Sequence, residues 1–240
     1  MSFFKTVIAN DVRNILRDRL YVWIFLLYPA MIIVISRFLV PWIADNMFAG
    51  LTGLYPLIFM LMANVIATIF GFITAFLIMD ERDENLLTVL RVMPISRSQY
   101  LLYRMTLMTA FAFFWAAIFP WLTGLITVDF FTYLPIAFMF TLIVPIVALL
   151  VNVLASNKVQ GFAMMKMLGG VWMLPLLAFF LHGTAEPLRY IFGMFPNFWT
   201  YMSLDKLLTN GFHDPLHIGI GIAISFGAII VLFKIFNKRF

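Results

Sequence analysis

Six apolar runs, each close to or above 20 residues, restrict this chain to one structural class. A helix needs about 20 mainly apolar residues to cross a bilayer, because each residue adds about 1.5 Å to its length. With 64% hydrophobic and 11% charged residues over 240 positions, the composition excludes an ordinary water-soluble domain. The sequence predicts an all-α membrane protein with six spans, at residues 20–40, 54–79, 101–127, 134–154, 162–181 and 218–236.

The distribution of Lys and Arg predicts how these spans are oriented. Six spans place both termini on one side, and 13 of the 16 basic residues fall on that side; only Arg37, Arg189 and Lys206 fall on the other. Basic residues beside membrane spans favour the cytoplasmic side. We therefore predict a multi-pass protein of the plasma membrane with both termini cytoplasmic. The net charge of +5 then reflects topology in the lipid bilayer, and we expect no nucleic-acid partner.

The polar stretch 80–104 separates the second and third spans and has helical signals of its own. Carboxylates crowd its start, where they suit the positive end of a helix. Leu86, Leu87, Leu90 and Met93 then recur at helical spacing until Pro94 stops the helix. Ser96 and Gln99 form a capping box that begins the next helix. Because leucines outside the bilayer need a covering surface, the pattern predicts a short cytoplasmic helix that another protein binds.

Two other segments are predicted to lie outside the bilayer core. In the N-terminal segment, Phe4, Ile8, Val12, Ile15 and Leu16 share one helical face, which indicates a helix lying in the headgroup layer. A loose basic leader to the first span is the alternative. Residues 182–217 are too polar for a complete span, and we expect short helices on the outer side there.

The residues that catalysis usually requires are missing from the sequence. It has no cysteine, no P-loop, no zinc-protease motif and no serine-nucleophile elbow. His213 and His217 are spaced i, i+4, but Pro215 lies between them, and all three histidines, including His182, are expected outside; we expect no metal site. The acidic cluster at residues 80–84 is better explained as a solvated or partner-binding face than as an acid–base pair. The sequence therefore predicts a non-catalytic protein.

Polar residues inside the spans are few. Asn64, Thr68, Gly71 and Ala75 follow one helical face of the second span. Small and polar residues of this kind serve helix packing, but they can also line a pathway, and a dimer interface is compatible with both. Arg37, near the far end of the first span, is expected to extend to the outer surface. Binding of an anionic ligand by Arg37 is the alternative.

The stretch after the second span resembles the signature region of ABC type-2 transporter permeases. In that family an acidic E-R-x-x-G-x-L sequence is followed by a leucine-rich helix and then by P-[IL]-S and a basic residue. The matching positions here are Glu81, Arg82, Leu87, Leu90, Pro94, Ile95, Ser96 and Arg104. Asn85 replaces the common glycine, and Arg104 replaces the common lysine. Residues 185–208 resemble the family's outer segment, so the resemblance covers the chain in order and length.

The resemblance implies a single ABC type-2 transmembrane domain over residues 1–240. The N-terminal helix then resembles the family's connecting helix and residues 82–93 its coupling helix. It also implies two copies of a separate ABC ATPase, which would bind the ATP and Mg, and a second permease copy, identical or paralogous. No cofactor is expected on this chain. The ATPase-coupling residues would be Glu81, Arg82, Glu84, Leu86, Leu87, Leu90 and Pro94.

The resemblance further implies export of a hydrophobic or amphipathic cargo such as a drug, peptide or lipid. Arg17, Asp18, Pro29, Arg37, Phe38 and Pro41 are similar to a run in bacterial drug-export permeases of the fluoroquinolone type. A stand-alone secondary transporter or channel is the alternative, disfavoured because charged residues within the spans are few and internal repeats are lacking. A membrane-embedded enzyme is disfavoured by the missing catalytic groups.

Overall fold

The computed structural model describes residues 26–83, 96–181, 186–212 and 214–239, and these residues are helical with no strand among them. Six of their helical segments are long and apolar enough to cross a membrane, which confirms the predicted all-α fold with six spans. We number them span 1 to span 6: Tyr28–Asn46, Ala49–Arg82, Ser98–Thr123, Phe130–Leu154, Lys158–Leu181 and Pro215–Arg239. The predicted N-terminal interfacial helix and the coupling helix lie outside the described residues.

Span 1 extends further than the sequence predicted. It consists of an α-helix Tyr28–Val34, a π-helical turn Ile35–Leu39 and a second α-helix Val40–Asn46. The predicted end of span 1 at residue 40 was wrong, because Pro41 sits in the first turn of the second helix. A helix tolerates proline there, since the missing N–H has no helical partner to lose.

Spans 2 and 3 are the longest unbroken helices. A 3₁₀ segment Ala49–Leu54 leads into the helix Tyr55–Asp83 of span 2. The helix of span 3 runs Arg97–Thr123 and begins with the predicted capping box, because Ser96 Oγ accepts from the Gln99 N–H and Gln99 Oε1 accepts from the Ser96 N–H. The predicted end at residue 127 was wrong. Gly124, at φ +66°, adopts the left-handed conformation that ends helices.

The second half of the chain contains more interrupted helices. Span 4 comprises Phe130–Thr141 and Ile143–Leu154, and span 5 comprises Lys158–Val171 followed by a 3₁₀ helix Leu174–Leu181. Short helices between spans 5 and 6 were predicted and are present: Glu186–Arg189, the 3₁₀ turn Tyr190–Met194 and Pro196–Asn210. Span 6 is the helix Pro215–Arg239, three residues longer at each end than predicted.

The core lies between span 2 and span 4, which are the two most buried spans, whereas spans 1, 5 and 6 remain mostly exposed. Phe59 of span 2 is fully buried, and its ring centre lies 5.2 Å from that of Phe119 and 6.1 Å from that of Tyr133. We call the end of the bundle that carries Glu81, Lys158 and Arg239 the Glu81 end. The opposite end, where span 4 begins after Asp129, is the Asp129 end.

Candidate functional site

Glu81, one of the predicted coupling residues, is buried at the Glu81 end, with a side chain 7% exposed. Its Oε1 accepts hydrogen bonds from Arg104 Nε at 2.8 Å, from Arg104 Nη2 at 2.5 Å and from the Tyr100 hydroxyl at 2.7 Å. The Arg104 guanidinium also lies 5.8 Å from the centre of the Tyr100 ring. A charged hydrogen bond to a buried partner is among the stronger polar contacts in proteins. Glu81 therefore joins the end of span 2 to the start of span 3.

The residues on either side of Glu81 bond to other parts of the chain. Asp80 forms an ion pair with Lys158 at the start of span 5. Arg82 Nη2 donates to the carbonyl of Ser156, in the connection between spans 4 and 5, at 2.6 Å. Three successive side chains of span 2 thus reach span 3, span 5 and the connection before it, so this end of span 2 is held from two sides.

Span 6 joins the same network. Ser98 Oγ donates to Asn237 Oδ1 at 3.4 Å, and Arg239 donates to the carbonyl of Val153. Below these polar contacts, Phe236 is buried against Leu101 and Leu149. The Glu81 end is therefore a cross-linked layer that connects spans 2 to 6.

This layer borders the segment 84–95 on both sides. Glu84, Leu86, Leu87, Leu90 and Pro94, which complete the predicted coupling set, lie in that segment and outside the described residues. The structure does place its two attachment points: span 2 ends at a side chain bonded to Arg104, and span 3 begins at a capped helix terminus. The coupling role stays a prediction. Glu81 and Arg82, the two members of the set that the structure describes, make contacts with their own chain.

The predicted polar face of span 2 packs against span 4. A Cβ atom built on Gly71 would lie 2.7 Å from Val147 Cβ and 3.1 Å from the Val144 carbonyl oxygen, so only glycine permits this approach. One turn on, the carbonyl of Ala75 accepts from Asn152 Nδ2 at 3.1 Å. Gly71 and Ala75 therefore serve packing within one chain. That this face also forms a dimer interface or lines a transport pathway stays a prediction.

Asn64 and Thr68, on the same face, have no polar partners among the described residues. Asn64 is 1% exposed, and neither its Oδ1 nor its Nδ2 has a hydrogen-bond partner within the described part of the chain; the same holds for Thr68 Oγ1. A buried amide without a partner is costly, most of all in a membrane. Asn64 and Thr68 thus form a buried polar patch whose side chains make no hydrogen bond to another described residue.

A second polar network lies at the Asp129 end, where sequence reasoning found only a segment too polar to span. Asp214 Oδ2 accepts from Lys206 Nζ at 2.8 Å and lies 2.7 Å from His217 Nδ1. The Lys206 ammonium holds the pKa of Asp214 well below its usual value. The His217 ring is buried, and its Nε2 lies 3.3 Å from the Tyr190 hydroxyl. This network fastens the helix Pro196–Asn210 to the start of span 6.

Arg189 strengthens the same region. It is 4% exposed, and its Nη2 lies 2.6 Å from Asp205 Oδ2. A cavity of about 280 Å³ opens beside this pair. The sequence signal that could have revealed the network was the occurrence of acidic and basic residues together at residues 189–217, between two apolar spans. His217 is used here as a bonding partner, and within the described ranges no three His, Asp or Glu side chains gather as a metal site.

Arg37 lies against the end of span 3. A Cβ built on Gly124 would meet its guanidinium, so the cation sits beside the last turn of that helix. The negative end of a helix dipole favours a cation at this position. This location at the Asp129 end agrees with the predicted reach of Arg37 towards the surface on that side of the bundle.

The family model described as fluoroquinolones export permease protein Rv2686c-like matches residues 11–233. Two curated proteins of Mycobacterium tuberculosis are similar over nearly the full length: fluoroquinolones export permease protein Rv2686c of strain H37Rv and protein MT2760 of strain CDC 1551. Each is 26% identical over 238 residues, which is 96% of this chain and 92% of the relative. No solved structure matches the chain.

Proposed function

Because the chain belongs to the Rv2686c-like family of fluoroquinolones export permeases, we propose that it is the membrane permease subunit of an ATP-driven exporter. The observation that carries the proposal is the family match over residues 11–233, together with six helices that could cross a membrane. Export of an amphipathic drug fits this membership. The printed names of the two relatives point to fluoroquinolones as the first cargo to examine.

The energy source in this proposal is a separate ABC ATPase. The sequence contains no P-loop, so the chain needs a partner to use ATP. The leucine stripe at residues 86–93 supplies an apolar surface for that partner. Two ATPase copies and two permease copies would make the complete exporter, with each permease contributing one ABC type-2 domain and no catalytic group.

The contacts of Glu81 suggest how movement at the ATPase would reach the spans. Closure of the ATPases would displace the segment 84–95. Span 2 would follow directly, and the ion pairs of Glu81 with Arg104 and of Asp80 with Lys158 would carry spans 3 and 5 with it. In this mechanism Glu81 transmits motion and does not itself bind the ATPase.

The orientation follows from the same assignment. An ATPase that uses cytoplasmic ATP requires the Glu81 end to be cytoplasmic, which agrees with the basic residues at both termini and in the segment 80–104. The network around Asp214 would then lie outside a bacterial plasma membrane. A stand-alone secondary transporter is the competing proposal, and it would not depend on an ATPase.

The test is reconstitution of the permease with its partner P-loop ATPase, which we would look for first in the neighbouring reading frame. We expect ATP-dependent fluoroquinolone transport by the complex and no ATP hydrolysis by the permease alone. Leu90→Asp would place a charge in the proposed contact and should abolish co-purification of the ATPase. The matched variant Val92→Asp adds the same charge on the opposite face of the helix that the sequence predicts, and it should retain co-purification of the ATPase. Transport without any ATPase would reject the proposal.

A further inference from the structure

Lys166 is a cation on the exposed surface of a membrane span. It lies on the α-helical part of span 5, eight residues after Lys158, which corresponds to about 12 Å along the helix axis. Its side chain is exposed, and no ion pair or hydrogen bond joins it to the rest of the described chain. An uncompensated charge at such depth is rarely left in contact with hydrocarbon and usually marks a substrate or ion route.

The carboxylate side chains that the structure describes at this bundle end are already engaged. Asp80 is paired with Lys158 and Glu81 with Arg104, both near the end of the bundle. No other described Asp or Glu lies within span 2, 4 or 5. A second copy of the same chain would carry its described carboxylates at the same two ends. The described part of the bundle therefore supplies no counter-ion to Lys166, and a bound anionic molecule can supply one.

The surroundings of Lys166 suit an aromatic molecule. Phe162, one turn earlier, is 56% exposed, and its ring centre lies 4.6 Å from that of Phe76. One turn later, Cβ atoms built on Gly169 and Gly170 would meet nothing within 4 Å. The helix surface there has no side chains and leaves space for a ligand. A flat ring can lie along Phe162 and the glycines while its acid group meets the lysine.

We propose that Lys166 binds the carboxylate of an amphipathic aromatic cargo on the exposed face of span 5. This inference rests on the proposed export function and adds to it a binding residue and a required chemical group. A carboxylate on an aromatic ring system satisfies both parts of the surface, because the lysine neutralises the charge and the phenylalanine contacts the ring. Fluoroquinolones carry such a group.

The test compares norfloxacin with its ethyl ester, which lacks the carboxylate, in proteoliposomes containing permease and ATPase. Loss of one charge-assisted contact corresponds to about a tenfold weakening. We expect Lys166→Gln to raise the KM for norfloxacin about tenfold and to leave the KM for the ester unchanged. Lys166→Arg should keep the wild-type preference for the acid. Lys234→Gln, at an exposed lysine of span 6, is the matched control and should change neither KM.

Different failures have different meanings. If Lys166→Gln changes the KM of acid and ester equally, or changes neither, the inference is wrong while the export function stands. The second result would indicate that Lys166 extends to lipid phosphates instead. If the wild-type complex transports neither compound, the proposed function is rejected and this inference with it.

Discussion

Arg104 donates two hydrogen bonds to a single oxygen of Glu81, from Nε at 2.8 Å and from Nη2 at 2.5 Å. The pair connects the last turns of span 2 with the first turns of span 3, across the segment 84–95. Both side chains are largely removed from solvent, at 7% and 15% exposure. An ion pair in this setting is costly to break, because the remaining charge has no water to replace its partner.

Replacement of Glu81 by leucine should therefore destabilise the protein strongly. Arg104 would lose this carboxylate while its side chain is only 15% exposed, and we expect a loss of about 3–5 kcal/mol in the free energy of unfolding. Thermal unfolding of the purified permease measures the change. The double variant Glu81→Leu with Arg104→Met should recover most of the loss. Asp80→Asn is the matched control: its ion pair with Lys158 is exposed, so we expect less than about 1 kcal/mol.

Gly71→Ala tests the close packing of span 2 on span 4. The added methyl group would lie 2.7 Å from Val147 Cβ, which forces the two helices apart. We expect a loss of about 1–3 kcal/mol, measured by thermal unfolding in detergent. Gly227→Ala in span 6 is the control, since a Cβ there would meet nothing within 4 Å. Equal stability of the two variants would show that spans 2 and 4 are not in contact at Gly71.

Asn64→Leu tests the buried polar patch in span 2. The substitution keeps the volume and removes an amide that has no partner in the part of the chain the structure describes. We expect it to stabilise the observed conformation by roughly 1 kcal/mol. We also expect slower transport by the assembled complex. If transport passes through a second conformation in which water hydrates the Asn64 amide, leucine would make that conformation less stable relative to the observed one.

The control for Asn64→Leu is Thr74→Val on the same span. The Thr74 hydroxyl already donates to the carbonyl of Phe70 at 2.7 Å, so its removal should give no gain in stability. A clear loss of stability in Asn64→Leu would contradict the prediction and would reveal a bonding partner. Because the chain has no cysteine, single cysteines at 64, 68 and 71 can report reagent access during turnover.

Asp214→Asn should loosen the helix Pro196–Asn210 from span 6. Because its hydrogen bond to Lys206 lowers the pKa of Asp214, the carboxylate contributes stability that is fully present above its unfolded-state pKa, 3.8, and is lost as the pH falls below that value. The Tm of Asp214→Asn should therefore be lower than that of the wild type at pH 7. The two values should converge as the pH is lowered below about 4.

The control for this variant is Asp45→Asn, at an exposed carboxylate that ends span 1 and forms no ion pair with another described residue. Its Tm should follow that of the wild type at every pH. A constant difference between Asp214→Asn and the wild type over the whole pH range would show that the carboxylate charge is not what fastens the helix.

The sequence by itself determined the class of fold. Span length and apolar composition decide which segments can cross a bilayer, because an unpaired backbone group in hydrocarbon is costly and only a helix satisfies every such group within one segment. Short sequence signals were equally reliable where the interactions that they predict join residues close together in the sequence. The capping box of Ser96 and Gln99 formed as predicted, and the polar segment before span 6 folded into short helices. The family assignment also followed from the residues at 81–104.

Other features depended on the tertiary structure. The sequence grouped Glu81 with the exposed coupling residues, whereas the fold buries it against Arg104, which is 23 positions away. It could not say that Gly71 faces Val147, or that Lys206, Asp214 and His217 meet. Periodicity gives the face on which a side chain lies, but not which other helix covers that face. Only the packing of the spans decides whether a charge there is paired, as Glu81 is, or left exposed, as Lys166 is.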